Sequence, residues 1–101
     1  MSFYTQGIFK EKTKIKVKKP KDYKVIMFND DYTTMEFVID ILVNIFDKSY
    51  PEAEKVMLDV HRKGRGIAGI YSYDIAVTKA RYAMLKAREQ NFPFRLTVEE
   101  V

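Results

Sequence analysis

The segment 34–46, TMEFVIDILVNIF, is apolar around most of the circumference that it has as a helix. After its first residue, the polar positions within and just beyond it are Glu36, Asp40, Asn44 and Asp47, which form one narrow solvent-facing stripe. In a small domain one face of such a helix packs on a sheet. The sequence therefore predicts a helix that keeps a second apolar flank for another partner.

Five other segments have the pattern of a strand or a helix. Apolar runs and alternation predict strands at 23–28, 66–71 and 94–99. The 3.6-residue period predicts one helix between Ser49 and Gly64, and another from about Ser72 to Asn91. The order βααβαβ predicts an α/β (α+β) fold, a small three-stranded antiparallel sheet packed with three helices.

Local signals mark where these helices begin and end. Thr33-Thr34-Met35-Glu36 fits a capping box, with Thr33 as the N-cap residue and Glu36 reaching back to its amide. Ser49 and Glu52 have the same spacing at the start of the second helix, and Gly64 suits its C-cap.

Length and composition are those of one soluble domain. The chain has 101 residues, of which 47% are hydrophobic and 32% are charged, and it contains no cysteine. It has neither an apolar run of about 18 residues, as a transmembrane helix requires, nor a secretory signal pattern. These features predict a cytoplasmic protein without disulfides or thiolate metal sites. We expect a monomer that does not bind membranes.

Positive charge is concentrated near the amino end. Residues 10–21 hold seven lysines and one glutamate, hence +6, so the rest of the chain sums to −2 of the total of +4. We predict a flexible, Lys-rich N-terminal extension at 1–21 and a core domain at 22–101. A nucleic-acid-binding domain that uses this extension is the alternative function, although the folded body lacks the basic stripe and aromatic signature of such proteins.

The chain contains few residues that could form a catalytic site. The chain has a single histidine and no cysteine, and no serine lies in a nucleophile turn. The GRGIAG stretch lacks the lysine of a phosphate loop, and no spacing predicts a metal site. We therefore predict that the protein is not an enzyme and needs no cofactor or metal.

The stretch FNDDYTTMEFV favours a binding site. Asp30 and Asp31 either shape a turn ahead of the helix or accept hydrogen bonds from a ligand. His61 lies one turn after Met57 on the same helix face, and methionines line adaptable pockets as well as cores. Acceptors at the mouth of an apolar cavity suit a ligand that is cationic at one end and hydrophobic beside it.

Three ordered blocks resemble ClpS, the N-end-rule adaptor family of bacterial Clp proteases. The blocks are YKVIMFNDDYTTMEFV, MLDVHRKGRGIAGIYSYDIA and NFPFRLTVEE, and together they span most of the core domain. The resemblance implies the ClpS-type fold, which is similar to the C-terminal domain of the ribosomal stalk protein. It also implies an adaptor that binds N-degrons, proteins with a free α-amino group and a bulky first residue such as Leu, Phe, Tyr or Trp.

The same resemblance implies roles for particular residues. Asn29, Asp31 and His61 match the residues that hold the α-ammonium group, and Asp30 belongs to the same motif. The side-chain pocket is expected to comprise Thr33, Met35, Val38, Met57, Val60 and Phe94. Met35 resembles a gatekeeper against β-branched first residues. Phe94 replaces a common Leu, which predicts a narrower or differently selective pocket.

Delivery is implied as the second half of the function. The family docks on the N-terminal domain of a Clp AAA+ unfoldase, ClpA- or ClpC-type, and Tyr73, Asp74 and Lys79 fall in that docking region. The N-terminal extension is implied to engage the unfoldase during hand-over. Thr34 and Val77 depart from the family pattern, where Pro and an acid are usual. A third possibility is a relative of this fold that has lost amino-end recognition and only modulates the unfoldase.

Overall fold

The computed structural model describes residues 20–101, so the predicted extension at 1–21 lies almost entirely outside the described residues. The described part contains β1 (Tyr23–Phe28), α1 (Met35–Asn44), α2 (Tyr50–Lys63), β2 (Arg65–Tyr71), α3 (Tyr73–Glu89) and β3 (Arg95–Glu100). This is the predicted βααβαβ order, with three helices and three strands.

The sheet has the order β2-β1-β3, and both pairings are antiparallel. β1 is central because it is the most apolar strand, with Val25 and Met27 0% exposed. Alternation then divides the sheet into two faces. Val25 and Met27 point into the core beneath the helices, whereas Lys24, Ile26 and Phe28 lie on the outer face.

Helix α1 starts one residue later than the sequence predicts. Its N-cap is Thr34, whose hydroxyl oxygen accepts from the Phe37 amide at 3.2 Å, so the predicted capping box of Thr33 and Glu36 is wrong. Thr33 lies in the preceding turn instead, because its amide and its hydroxyl both donate to Asp30 and orient its side chain toward that carboxylate. The helix also ends at Asn44 rather than Phe46.

The predicted faces of α1 are largely as expected. Phe37, Val38, Ile41 and Leu42 are buried in the core. Glu36, Asp40 and Asn44 form the exposed stripe. Between the two, Ile39 and Val43 are only half-buried, and they constitute the second apolar flank.

The other helices begin and end as the local signals indicate. Both hydrogen bonds of the Ser49–Glu52 capping box form, and Gly64 closes α2 in the left-handed region with φ 87°. Helix α3 lies close to the sheet because its inward face consists of small, buried side chains: Ala76, Ala80, Ala83 and Ala87. Phe37 and Phe94 meet edge to face in the core, with 6.1 Å between ring centroids.

Candidate functional site

Asp30 organises the connection between β1 and α1. Its carboxylate accepts hydrogen bonds from the Tyr32 amide at 2.8 Å, the Thr33 amide at 2.7 Å and the Thr33 hydroxyl at 2.7 Å. Of the two interpretations left open by the sequence, Asp30 therefore fits the first, an acid that shapes the turn by bonding to the backbone two and three residues ahead.

The electrostatics of Asp30 reflect the same contacts. Partial burial raises its pKa, but the Thr33 hydroxyl and the two amides together outweigh burial, so the pKa lies below its ordinary value of 3.8. Because the pKa is lowered, the ionised carboxylate stabilises the folded loop at pH values above the ordinary pKa. This contribution is lost as the pH falls through the lowered pKa.

Asp31 differs from its neighbour. It is exposed, and none of residues 20–101 donates a hydrogen bond or an ion pair to its carboxylate. The adjacent acids therefore have different surroundings. Asp30 is held by the loop, whereas Asp31 remains available to a ligand.

A backbone contact brings the end of β1 against the end of α2. The Asn29 amide donates to the Gly64 carbonyl at 2.9 Å, which places Asn29 and Asp31 beside the last turn of α2, where His61 lies. Strand β2 also lies close to this part of α2, since a Cβ added to Gly66 would lie 2.9 Å from Val60 Cγ2. The β1–α1 connection and α2 thus enclose a cavity between them.

This cavity has a volume of about 500 Å³ and joins a polar rim to an apolar wall. The rim includes Asn29, Asp30, Asp31 and His61. The wall includes Thr33, Met35, Val38, Met57 and Val60. Met35 is 43% exposed at the entrance, whereas Met57 and Val60 are buried and form the inner surface. Nine of the ten residues expected in the amino-binding and side-chain sites therefore line one cavity.

Phe94 is the tenth residue, and it does not line this cavity. It is buried in the core against Phe37. Its position therefore does not support the prediction that Phe in place of Leu narrows the pocket. Three lining residues were missed by the sequence reasoning: Tyr32, Thr34 and Glu36. All three lie within the FNDDYTTMEFV stretch, and this position beside the predicted site residues could have indicated them.

The residues expected to contact the unfoldase have separate surroundings. Tyr73 and Asp74 are exposed in the first turn of α3, and Tyr73 packs edge to face on Tyr23 with 5.0 Å between ring centroids. The Lys79 ammonium instead donates to the Ile45 carbonyl and lies 3.2 Å from Asp47 Oδ2. Lys79 therefore fixes the end of α1, which the sequence did not predict.

Comparison with known proteins identifies the family of this domain. The profile of ATP-dependent Clp protease adaptor protein ClpS matches residues 18–97. The chain belongs to the ClpS family. It is 50% identical over 92 residues to the ClpS adapter protein of Acetivibrio thermocellus, covering 91% of this chain and 93% of the relative. The Clostridium acetobutylicum ClpS adapter protein is 54% identical over 90 residues, covering 89% of each chain.

A solved ClpS structure has the same fold. The structure of Agrobacterium tumefaciens ClpS2 bound to L-phenylalaninamide matches with a TM-score of 0.79 and 40% identity, over 82% of this chain and all of that one. ClpS proteins are adaptors of a protease rather than proteases. The nucleic-acid alternative finds no support in these relatives.

Two further properties of the described residues concern membranes and metal ions. Between Pro20 and Val101, no helix is long and apolar enough to cross a membrane. In the same range, no group of three or more His, Cys, Asp or Glu side chains is placed to hold a metal ion.

Proposed function

We propose that this ClpS-family chain binds N-degron proteins by their free α-amino group and bulky hydrophobic first side chain, and delivers them to a Clp AAA+ unfoldase. The observation that carries the proposal is the joining of a polar rim to an apolar wall in one cavity. A protein's first residue has the same combination, an ammonium group one bond from the carbon that bears the side chain. L-phenylalaninamide, the ligand of the related ClpS2, is a small example of it.

The α-ammonium group carries three N–H donors and needs convergent acceptors. The Asn29 side-chain oxygen, the Asp31 carboxylate and an unprotonated ring nitrogen of His61 supply three of them from the rim. Asp30 acts as a positioning residue, since its oxygens already hold Thr33 and Tyr32. Asp31 then pairs directly with the ammonium, and the ionised Asp30 adds negative charge to the same rim.

The first side chain enters between the residues of the apolar wall. Val38 comes from α1, and Met57 and Val60 come from α2, so the pocket is built on two helices rather than on mobile loops. Met35 stands at the entrance, where it would contact the Cβ of the bound residue and disfavour branching there. The flexible thioether side chains of Met35 and Met57 allow rings of different shape to pack.

The contributions add up to a usable affinity. Burying one large side chain contributes about 1.5–3 kcal/mol, and each charge-assisted hydrogen bond contributes about 1.5–3 kcal/mol. Association costs at least about 4 kcal/mol, so one buried side chain and three hydrogen bonds leave at most about 8 kcal/mol, which corresponds to a dissociation constant of about one micromolar or weaker. Such a complex forms readily and still releases its substrate to a next component.

Delivery is assigned to the start of α3. Tyr73 and Asp74 are exposed on one turn and offer an aromatic ring and a carboxylate to the N-terminal domain of an unfoldase. Lys79 supports this surface indirectly, because its contacts with Ile45 and Asp47 tie α3 to the end of α1. We therefore expect Lys79 to position the docking surface as well as to contribute its charge.

The substitution Asp31→Asn tests the proposed amino-end site. It keeps the shape of the side chain and removes the charge, so the dissociation constant of a Phe-first peptide should rise about 10- to 100-fold, equivalent to roughly 1.5–3 kcal/mol. Fluorescence anisotropy with a labelled peptide measures this change. Asp59→Asn on α2 is the matched control and should leave affinity unchanged. Equal affinities for the wild-type and Asp31→Asn chains would remove Asp31 from the site.

A further inference from the structure

The second apolar flank of α1 forms a groove on the solvent side of the helix. The groove has a volume of about 350 Å³ and is lined by Glu36, Ile39, Asp40, Val43 and Tyr50. Tyr50 is exposed, and Ile39 and Val43 are half-buried. None of residues 20–101 covers this surface further, so part of the apolar area of α1 is left open by the described part of the chain.

Charge is distributed unevenly around the groove. Its lining contains two carboxylates, Glu36 and Asp40, and no basic side chain. An occupant of this groove therefore needs apolar side chains for the floor and positive charges for the rim. Asp40 accepts a hydrogen bond from the Asn44 side chain, but neither carboxylate has a cationic partner among residues 20–101, and an acidic or uncharged segment would supply none.

The N-terminal extension has that chemistry. Residues 1–19 contain six lysines and one glutamate. Ile15 and Val17 alternate with these lysines, and Phe9 immediately precedes the first of them. A segment with this alternation presents apolar groups to the floor while its ammonium groups meet Glu36 and Asp40.

The attachment point of the extension also fits. β1 begins at Tyr23, beside Tyr71, whose hydroxyl donates to the Phe46 carbonyl just after α1. The extension therefore joins the domain at the end where α1 finishes. Nineteen residues reach up to about 60 Å when extended, whereas a ten-residue helix such as α1 is about 15 Å long. The groove lies well within this reach.

The outer face of the sheet is also partly apolar, but its charge suits a Lys-rich segment less well. On the outer face of the sheet, Ile26 lies opposite Ile67, and Phe28 lies between Arg65 and Arg95. The Arg95 guanidinium stacks on the Phe28 ring at 4.0 Å. The basic residues of this face outnumber its acidic ones, Asp59 and Glu99, whereas the groove lining carries only acidic charges, so a Lys-rich segment binds the groove more favourably.

We propose that the groove of α1 is the docking surface for the N-terminal extension of the same chain. The contact is electrostatic at the rim and apolar at the floor, so it is reversible and sensitive to salt. The groove is separate from the proposed substrate cavity except for Glu36, which lines both. This inference does not depend on whether the chain binds N-degrons.

Because the chain has no cysteine, one spin label can be placed at a chosen position. We would introduce Thr13→Cys in the full-length chain, attach a nitroxide and measure paramagnetic broadening of backbone amide signals. The amides of 36–43 and Tyr50 should broaden most, and those of Ile67 and Ile70 least. Salt at about 1 M, where the Debye length is about 3 Å, should abolish most of the effect.

Charge reversal supplies the matched comparison. Asp40→Lys should reduce the docked fraction by about threefold, because it replaces one exposed charge attraction at the rim with a repulsion. Glu99→Lys, an exposed reversal on β3, should leave the pattern unchanged. Broadening centred on the outer sheet face, broadening insensitive to both salt and Asp40→Lys, or broadening that fades on dilution as contact with a second copy would, overturns the proposal.

Discussion

Acetylation of the amino end of a Phe-first peptide is expected to weaken its binding by at least about 100-fold. The acetyl group removes the positive charge and two of the three donors, so about two charge-assisted hydrogen bonds are lost, each worth roughly 1.5–3 kcal/mol. It also leaves the Asp31 carboxylate facing a neutral amide with no compensating charge. The first side chain is unchanged, so burial of the Phe ring cannot account for the loss.

Two peptides of identical sequence and label, one free and one acetylated, give this comparison directly by fluorescence anisotropy. A Val-first peptide with a free amino end is the control for the pocket, and it should bind weakly because Met35 opposes a branched Cβ. Equal affinity for the free and acetylated Phe peptides would leave only the third possibility, a relative of this fold that modulates the unfoldase without recognising amino ends.

Leu42→Ala is expected to be the most damaging of the substitutions considered for stability. Leu42 is 0% exposed and lies in the hydrophobic core. Truncating such a leucine removes its transfer free energy and leaves a cavity, at a cost of about 2.7–5 kcal/mol. For a domain of this size each kcal/mol lowers the melting temperature by about 4–8 °C, so a fall of roughly 10 °C or more is expected.

Leu85→Ala on α3 is the matched control. Leu85 is 55% exposed, and its truncation should change the free energy of unfolding by no more than about 0.5 kcal/mol. Urea unfolding followed by circular dichroism measures both variants. Similar losses at the two positions would be inconsistent with a buried Leu42 on α1 and an exposed Leu85 on α3.

Much of the fold could be predicted because its signals are local. The Ser49–Glu52 capping box and the C-cap at Gly64 involve contacts within a few residues, and the structure confirms both. The cavity residues were also predictable, since they fall in two motifs that the family resemblance aligns. What joins the motifs is the hydrogen bond from Asn29 to Gly64, which the strand and helix ends alone do not indicate.

The errors have physical causes that local patterns do not contain. Two adjacent threonines, Thr33 and Thr34, have the same capping potential. Thr34 becomes the N-cap because hydrogen bonds to Asp30 hold Thr33 in the preceding turn. Phe94 lies in the core because its ring meets Phe37, far away in the chain. The contact from Lys79 to the Ile45 carbonyl likewise joins residues 34 positions apart.

The most direct test of the proposed amino-end recognition is a crystal structure of this chain with L-phenylalaninamide. We expect the amino nitrogen to lie within hydrogen-bonding distance of the side chains of Asn29, Asp31 and His61, with the ring between Val38, Met57 and Val60. Asp30 should keep its three bonds to the loop. A ligand bound outside this cavity, or one whose amino group points to solvent, would refute the proposal.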